Sequence, residues 1–100
     1  SALLKKASGS LGKGDLDGAA AYLENAQRLD PKNSKILYDI ANIRYHQGRY
    51  KEAESMASRA VQTGGSNAML KKSWSLISNS RNKLGDSQGA VQAATKAASY

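Results

Sequence analysis

His46 is the only histidine of this 100-residue sequence and the one side chain suited to proton transfer near neutral pH. A histidine that acts as a general base needs a nucleophile to activate and a carboxylate to orient its ring. Its neighbours are Tyr45, Gln47 and, one helical turn earlier, Asn42, which do not form such a set. We therefore expect a polar histidine at a helix end, and no enzyme.

Metal, cofactor and phosphate chemistry also lack the residues that they need. The sequence has no cysteine, so disulfides, thiol catalysis and cysteine-type zinc sites are excluded. One histidine with only Asp39 near it does not make a metal site. Gly64-Gly65 lacks the preceding strand and the lysine of a phosphate-binding loop. The sequence predicts no catalytic, cofactor or metal site and no small-molecule substrate.

The segment from Pro31 to Gly65 predicts two helices joined by a tight turn. Asn33 or Ser34 is suited to the N-cap of the first helix, and Gly48 is suited to its end. Apolar residues recur at intervals of three and four in both halves, which is the spacing of one helix face. In the first half these are Ile36, Leu37, Ile40, Ala41 and Ile43, and in the second half Tyr50, Ala53, Met56, Ala57, Ala60 and Val61.

The same pattern occurs three times. Gly14–Ala19, Gly48–Ala53 and Gly85–Ala90 each read glycine, four variable residues and alanine, with a further alanine seven residues later. The glycines are 34 and 37 residues apart, which is the period of helix-pair solenoids. We therefore predict an all-α solenoid of three helix–turn–helix repeats and about six helices, in one domain over residues 1–100. The repeats cover approximately 1–32, 33–66 and 67–100.

The chain resembles the tetratricopeptide repeat (TPR) family. The resemblance covers nearly the whole chain and implies three TPR repeats. Trp74 falls on the aromatic position of the first helix of that pattern. The other matching positions are Asp30-Pro31, Leu37, Ile40, Ala41, Gly48, Tyr50, Ala53 and Ala60.

The remaining helices are predicted at residues 2–11, 15–29, about 67–84 and 86–99. Ser66 or Asn67 should cap the fifth of the six helices. This helix is lengthened at its start, because the third repeat arrives about three residues late. Its inward residues are predicted to be Met69, Leu70, Trp74, Ile77 and Leu84. No further helix follows the last one, which leaves a stripe that either forms a weak homodimer contact or is covered by residues outside this sequence: Ala90, Val91, Ala94 and Ala98.

The first helix of each pair in such a stack lines a concave surface where ligands lie. Tyrosine and asparagine supply contact area and hydrogen bonds, so we predict a protein partner there. Half-buried packing is the alternative for Tyr38 and Tyr45. The predicted groove residues are Lys35, Tyr38, Asp39, Asn42, Tyr45 and His46 on one helix and Lys72, Ser75, Asn79, Asn82 and Lys83 on the next.

Arg44 and Arg81 occupy equivalent places, where the family has a large apolar or aromatic residue. Two matched guanidinium groups would suit an acidic or carboxylate-bearing partner. Alternatively, each arginine extends over the core and pairs with a carboxylate of the chain, for which the candidates are Glu52, Glu54 and Asp86. The structural alternative is favoured.

The net charge of +7 arises from 15 basic and 8 acidic residues. Residues 66–100 contain five basic residues and one acidic residue, so much of the excess lies in the third repeat. An acidic polymer or an ordinary solvated surface would both account for this. Nucleic acid is disfavoured, because Trp74 is the main aromatic of that stretch and is assigned to the core.

Two runs carry a narrower resemblance. Ile40–Glu54 and Trp74–Ala90 are similar to the C-terminal repeat domain of a bacterial outer-membrane lipoprotein that activates a bifunctional class A penicillin-binding protein. This resemblance implies a periplasmic domain, tethered to the outer membrane through an N-terminal lipid anchor absent from this sequence. A cytoplasmic adaptor of another assembly is the alternative. Chaperone-tail binding is disfavoured, because only Lys72 agrees among the carboxylate-clamp positions Leu4, Ser8, Asp39, Lys72 and Leu76.

Overall fold

The computed structural model describes residues 15–100, which contain five α-helices and no strand. The helix predicted over residues 2–11 lies outside this range. The all-helical prediction is confirmed. The longer helix of the third repeat is also confirmed, since α4 has 17 residues and α2 has 13. The helices are α1 (Leu16–Leu29), α2 (Ser34–His46), α3 (Tyr50–Thr63), α4 (Asn67–Lys83) and α5 (Ser87–Ala98).

Short polar side chains start four of the helices. Asn33 caps α2 and Ser66 caps α4, each accepting a hydrogen bond from the amide three residues later. Asp15 and Asp86 start α1 and α5 and accept from the amides of glycines three residues on, at 2.8 and 2.9 Å. A Cβ atom on Gly89 would lie 2.1 Å from the Asp86 carboxylate, so this cap geometry favours glycine there.

The turns inside the second and third repeats share one geometry. Gly48 and Gly85 have φ of 78° and 83°, a left-handed conformation that glycine adopts without a Cβ clash. The amide of the residue after the glycine donates to the carbonyl five positions earlier. In the second repeat this bond joins Arg49 to Arg44 at 2.9 Å. The equivalent bond in the third repeat is 2.8 Å long. This Schellman-type ending reverses the chain and lays each second helix against the first.

The helices stack in chain order. α2 packs on α3 and α4 packs on α5, forming two hairpins, while α3 contacts α4 and α1 contacts α2. α2 also contacts α4, so the first helices of successive pairs lie side by side. This arrangement is the predicted solenoid, and it places the outward faces of α2 and α4 next to each other.

Alanine occupies the places where helices meet. Six alanines have no exposed surface, which lets helix backbones approach closely and leaves room for larger neighbours such as Leu23 and Ile77. One core cluster joins α1 to α2, and a second joins α2 and α3 to α4 and α5. The six alanines are Ala19, Ala41, Ala53, Ala57, Ala60 and Ala93.

Two predicted apolar positions are wrong. Leu84 was expected to point inward, but it is the C-cap of α4 and is 44% exposed, because the helix ends one residue before it. Ala90 was expected in the uncovered stripe of the last helix, but it is 2% exposed and faces the core. Val91, Ala94 and Ala98 of that stripe are exposed. A homodimer through this face stays a prediction.

Three serines of α4 are buried where apolar periodicity gave no signal. Ser78 donates from its hydroxyl to the carbonyl of Ala90 at 2.7 Å and thereby joins α4 to α5. Ser73 and Ser80 have no exposed surface, and their hydroxyls have no hydrogen-bond partner among the described residues. These positions need a small side chain for helix contact, and at Ser73 and Ser80 the hydroxyl adds a desolvation cost.

We predict that two serine-to-alanine substitutions in α4 differ in their effect on the free energy of unfolding. Ser78→Ala removes a buried hydrogen bond, whereas Ser73→Ala removes an unpartnered hydroxyl. Both gain the same helix propensity, so the difference between their free energies of unfolding isolates the hydrogen bonding. We expect Ser73→Ala to be the more stable of the two by about 1–2 kcal/mol.

Urea unfolding followed by far-ultraviolet circular dichroism measures both values. Ser80→Ala serves as a second unpartnered case and should follow Ser73→Ala. Equal destabilisation by Ser73→Ala and Ser78→Ala would show that the Ser73 hydroxyl also contributes a bond.

Candidate partner-binding groove

A depression of about 410 Å³ lies between the outward faces of α2 and α4. Its α2 wall consists of polar and aromatic side chains spaced three and four residues apart. The apolar face of α2 is buried, and α2 packs on α1 and α3. Tyr38 and Tyr45 flank that face and also pack against the second core cluster. The lining residues are Tyr38, Asn42, Tyr45 and His46 from α2 and Lys71, Lys72, Ser75, Leu76 and Asn79 from α4.

The structure brings together seven of the eleven residues predicted to line the groove. Lys35 and Asp39 are not among the lining residues, and they form an ion pair with each other at 3.0 Å along α2. Asn82 and Lys83 are exposed near the end of α4 and also lie outside the lining. The seven that line the depression are Tyr38, Asn42, Tyr45, His46, Lys72, Ser75 and Asn79.

The two tyrosines of the wall are half-buried, as the packing alternative required, and both also face the depression. Burial raises the pKa of Tyr38, the neighbouring Asp39 carboxylate raises it further, and Lys35 partly opposes them. Its phenol is therefore neutral at physiological pH and is available as a hydrogen-bond donor. Tyr45 makes edge-to-face contacts with the rings of His46 and Tyr50, with centroids 5.7 and 5.3 Å apart. The tyrosine wall is thus fixed by packing before any partner arrives.

Lys71 and Leu76 line the depression but were not predicted to bind a partner. Lys71 lies four residues before Ser75, and that helical spacing was a usable signal. Leu76 is 5% exposed and belongs to the core cluster, so apolar periodicity identifies only its packing role. It supplies the apolar floor between polar walls.

Trp74 lies on another face of α4. It is half-buried against the core, as assigned, and its indole nitrogen has no hydrogen-bond partner in the described part of the chain. The Lys96 ammonium lies 5.9 Å from the ring centroid. This cation–π contact stabilises the position of Lys96 on α5.

The paired arginines each bind a carboxylate of the preceding second helix. Arg81 donates to Glu54 at 2.7 Å and to the carbonyl of Gly89 at 3.0 Å. Arg44 pairs with Glu24 on α1 and also donates to Gln47 at 3.0 Å. Glu54 was among the predicted partners and Glu24 was not. Both contacts support the structural alternative, in which the arginines connect successive repeats.

No group of three or more histidine, aspartate or glutamate side chains within residues 15–100 could hold a metal ion. None of the five helices is long and apolar enough to cross a membrane. The polar groups of the depression can form hydrogen bonds and ionic contacts to a bound chain.

We predict that the contact between Arg81 and Glu54 stabilises the stack. Both side chains are about one-quarter exposed, so Arg81→Ala leaves a partly buried carboxylate and a backbone carbonyl without their donor. We expect a loss of about 1–3 kcal/mol in the free energy of unfolding. The matched control is Arg49→Ala, which breaks a half-exposed pair with Glu52 and should cost below about 0.5 kcal/mol. Similar urea midpoints for the two variants would contradict a stabilising role for Arg81.

Several solved structures have the same architecture as this chain. The globular C-terminal domain of LpoP from P. aeruginosa is 42% identical, with a TM-score of 0.92 over 96% of this chain and 92% of that chain. The N-terminal domain of stress-induced protein-1 (STI-1) from C. elegans is 22% identical, with a TM-score of 0.92 over 98% of this chain and 80% of that chain.

The first TPR of Spaghetti (RPAP3), bound to the HSP90 peptide SRMEEVD, is 20% identical. Its TM-score is 0.88 over 96% of this chain and 74% of that chain. At these lower identities the STI-1 and Spaghetti structures support the fold alone. A search of curated protein sequences found no match. The family model described as tetratricopeptide repeat matches residues 10–72. The chain belongs to the tetratricopeptide repeat family and is a protein-interaction domain of that family.

Proposed function

We propose that this chain is the partner-binding domain of a periplasmic lipoprotein that activates a bifunctional class A penicillin-binding protein. The resemblance of Ile40–Glu54 and Trp74–Ala90 to such activators implies this role. The observation that carries the proposal is the similarity to the LpoP C-terminal domain, at 42% identity over 96% of the chain. The STI-1 domain has the same repeat pattern at only 22% identity. The 42% identity to the LpoP domain therefore includes residues beyond that pattern.

The proposed mechanism is activation by binding, with no bond made or broken by this chain. A segment of the synthase lies in the groove between α2 and α4. If the domain binds the active conformation of the synthase more tightly than the inactive one, it raises the population of the active form. The groove residues contribute contact area and hydrogen bonds to that difference in affinity.

The lipoprotein part of the proposal assigns the domain a position as well as a partner. A lipid anchor at the outer membrane and a connecting linker would have to precede the repeats and let the domain reach a synthase in the inner membrane. A general adaptor of another bacterial assembly is the second candidate, favoured by the repeat family alone. A search of the upstream coding sequence for a lipid-modified cysteine separates these two candidates.

We predict that Tyr38→Ala combined with Tyr45→Ala weakens activation of the synthase. Both rings face the groove, and removing them takes away its aromatic wall. The measurement is the rate of peptidoglycan synthesis by the class A penicillin-binding protein of the same organism, with and without the domain. Activation should fall about tenfold or more at a fixed domain concentration, as expected for two contact tyrosines.

Both tyrosines are half-buried, so replacing them by alanine also removes packing that stabilises the fold. A second variant tests the groove without removing a packed side chain. Ser75 is exposed in the groove, so Ser75→Trp fills the depression without disturbing the core. Ser87→Trp places the same bulk on the exposed first turn of α5 and is the matched control. Thermal unfolding verifies that each variant is folded. Full activation by folded Ser75→Trp would rule out this groove as the synthase-binding site.

A further inference from the structure

Every acidic residue of this chain forms a hydrogen bond or an ion pair with another residue of the chain. The sequence contains eight, and all eight lie in the described range. Four accept hydrogen bonds from neutral groups, namely backbone amides at Asp15 and Asp86 and side-chain amides at Asp17 and Asp30. The other four form ion pairs, which are Glu24–Arg44, Asp39–Lys35, Glu52–Arg49 and Glu54–Arg81.

The basic residues are not balanced in this way, and two of the unbalanced ones lie in the groove. Lys71 and Lys72 are exposed on the α4 wall. Neither forms an ion pair within residues 15–100. No carboxylate lines the depression that they face. The net charge of the groove is therefore positive. The basic residues that pair with carboxylates lie outside its lining.

We infer that the groove binds an extended acidic segment of a partner protein, with carboxylates that contact Lys71 and Lys72. This inference rests on the proposed function, because it names the chemistry of the partner at that same site. The apolar side chains of the bound segment pack between Leu76 and the two tyrosines of the α2 wall. The amides of Asn42 and Asn79 stand on opposite sides to bond its backbone.

The composition of the groove favours a peptide over other polyanions. A polyphosphate or nucleic acid is held mainly through its charges and gains little from an apolar floor or from side-chain amides. Here the two lysines share the site with Leu76, two tyrosines and two asparagines. A peptide uses all of these groups.

The two lysines are suited to a segment that carries more than one carboxylate. Adjacent residues of a helix point about 100° apart, so Lys71 and Lys72 can contact two separate carboxylates. Two acidic side chains supply both contacts, so we expect binding without a free C-terminus.

A capped peptide library, acetylated and amidated at its ends, tests this inference by selection on the immobilised domain. The expected result is enrichment of aspartate and glutamate interspersed with apolar residues. For one enriched peptide, Lys71→Gln with Lys72→Gln should weaken binding about tenfold, since two exposed charge contacts are lost. Binding should also weaken as salt is raised, because salt screens exposed charges.

The matched control is Lys32→Gln with Lys51→Gln, which lowers the net charge by the same amount outside the groove. It should leave binding within about twofold. A neutral library consensus, or equal losses in the two double variants, would overturn the inference. So would inorganic polyphosphate that binds as tightly as the enriched peptide, since the surface would then select charge alone.

The outcomes for the proposed function remain separate. One outcome is that neutral peptides bind, that Ser75→Trp abolishes their binding, and that the lysine substitutions leave it unchanged. This outcome would place a binding site in the groove and reject an acidic partner. Acidic peptides that bind the wild-type groove while Ser75→Trp fully activates the synthase would support the acidic preference and reject this groove as the synthase-binding site.

Discussion

The close approach of helices at alanine is the constraint on which the rest of the structure depends. Ala41 of α2, Ala57 of α3 and Ala93 of α5 have no exposed surface and share one core cluster with two residues of α4. A larger side chain at any of these crossings would separate the helices. Because the hairpins pack tightly there, α2 and α4 lie side by side, and the groove is the space between their outward faces. The site is therefore a consequence of the core.

The sequence predicts most of the element boundaries because each boundary depends on local chemistry. Gly48 and Gly85 need a left-handed backbone, and Asn33 and Ser66 have short side chains that reach a free amide. These requirements involve residues only a few positions apart. The helical period likewise predicts that the two tyrosines share one face of α2, and the stacked-pair architecture places that face on the concave surface.

The features that the sequence did not predict depend on contacts between distant residues. Glu24 pairs with Arg44 across twenty positions, and no periodicity identifies that partner. Ser73 is buried by neighbouring helices although its side chain is polar. Leu84 is apolar, but it follows the last helical residue and so is left exposed. The unbalanced charge of Lys71 and Lys72 likewise becomes visible only when the partner of every carboxylate is known.

Met56 lies half-buried on α3 and packs against both core clusters. In a stack whose stability is a sum of neighbouring interfaces, a side chain shared by two interfaces couples them. Its thioether sulfur accepts a hydrogen bond from Arg59 at 3.6 Å. Oxidation to the sulfoxide would place a polar oxygen between both clusters. Oxidation of this one sulfur would therefore weaken two repeat interfaces together.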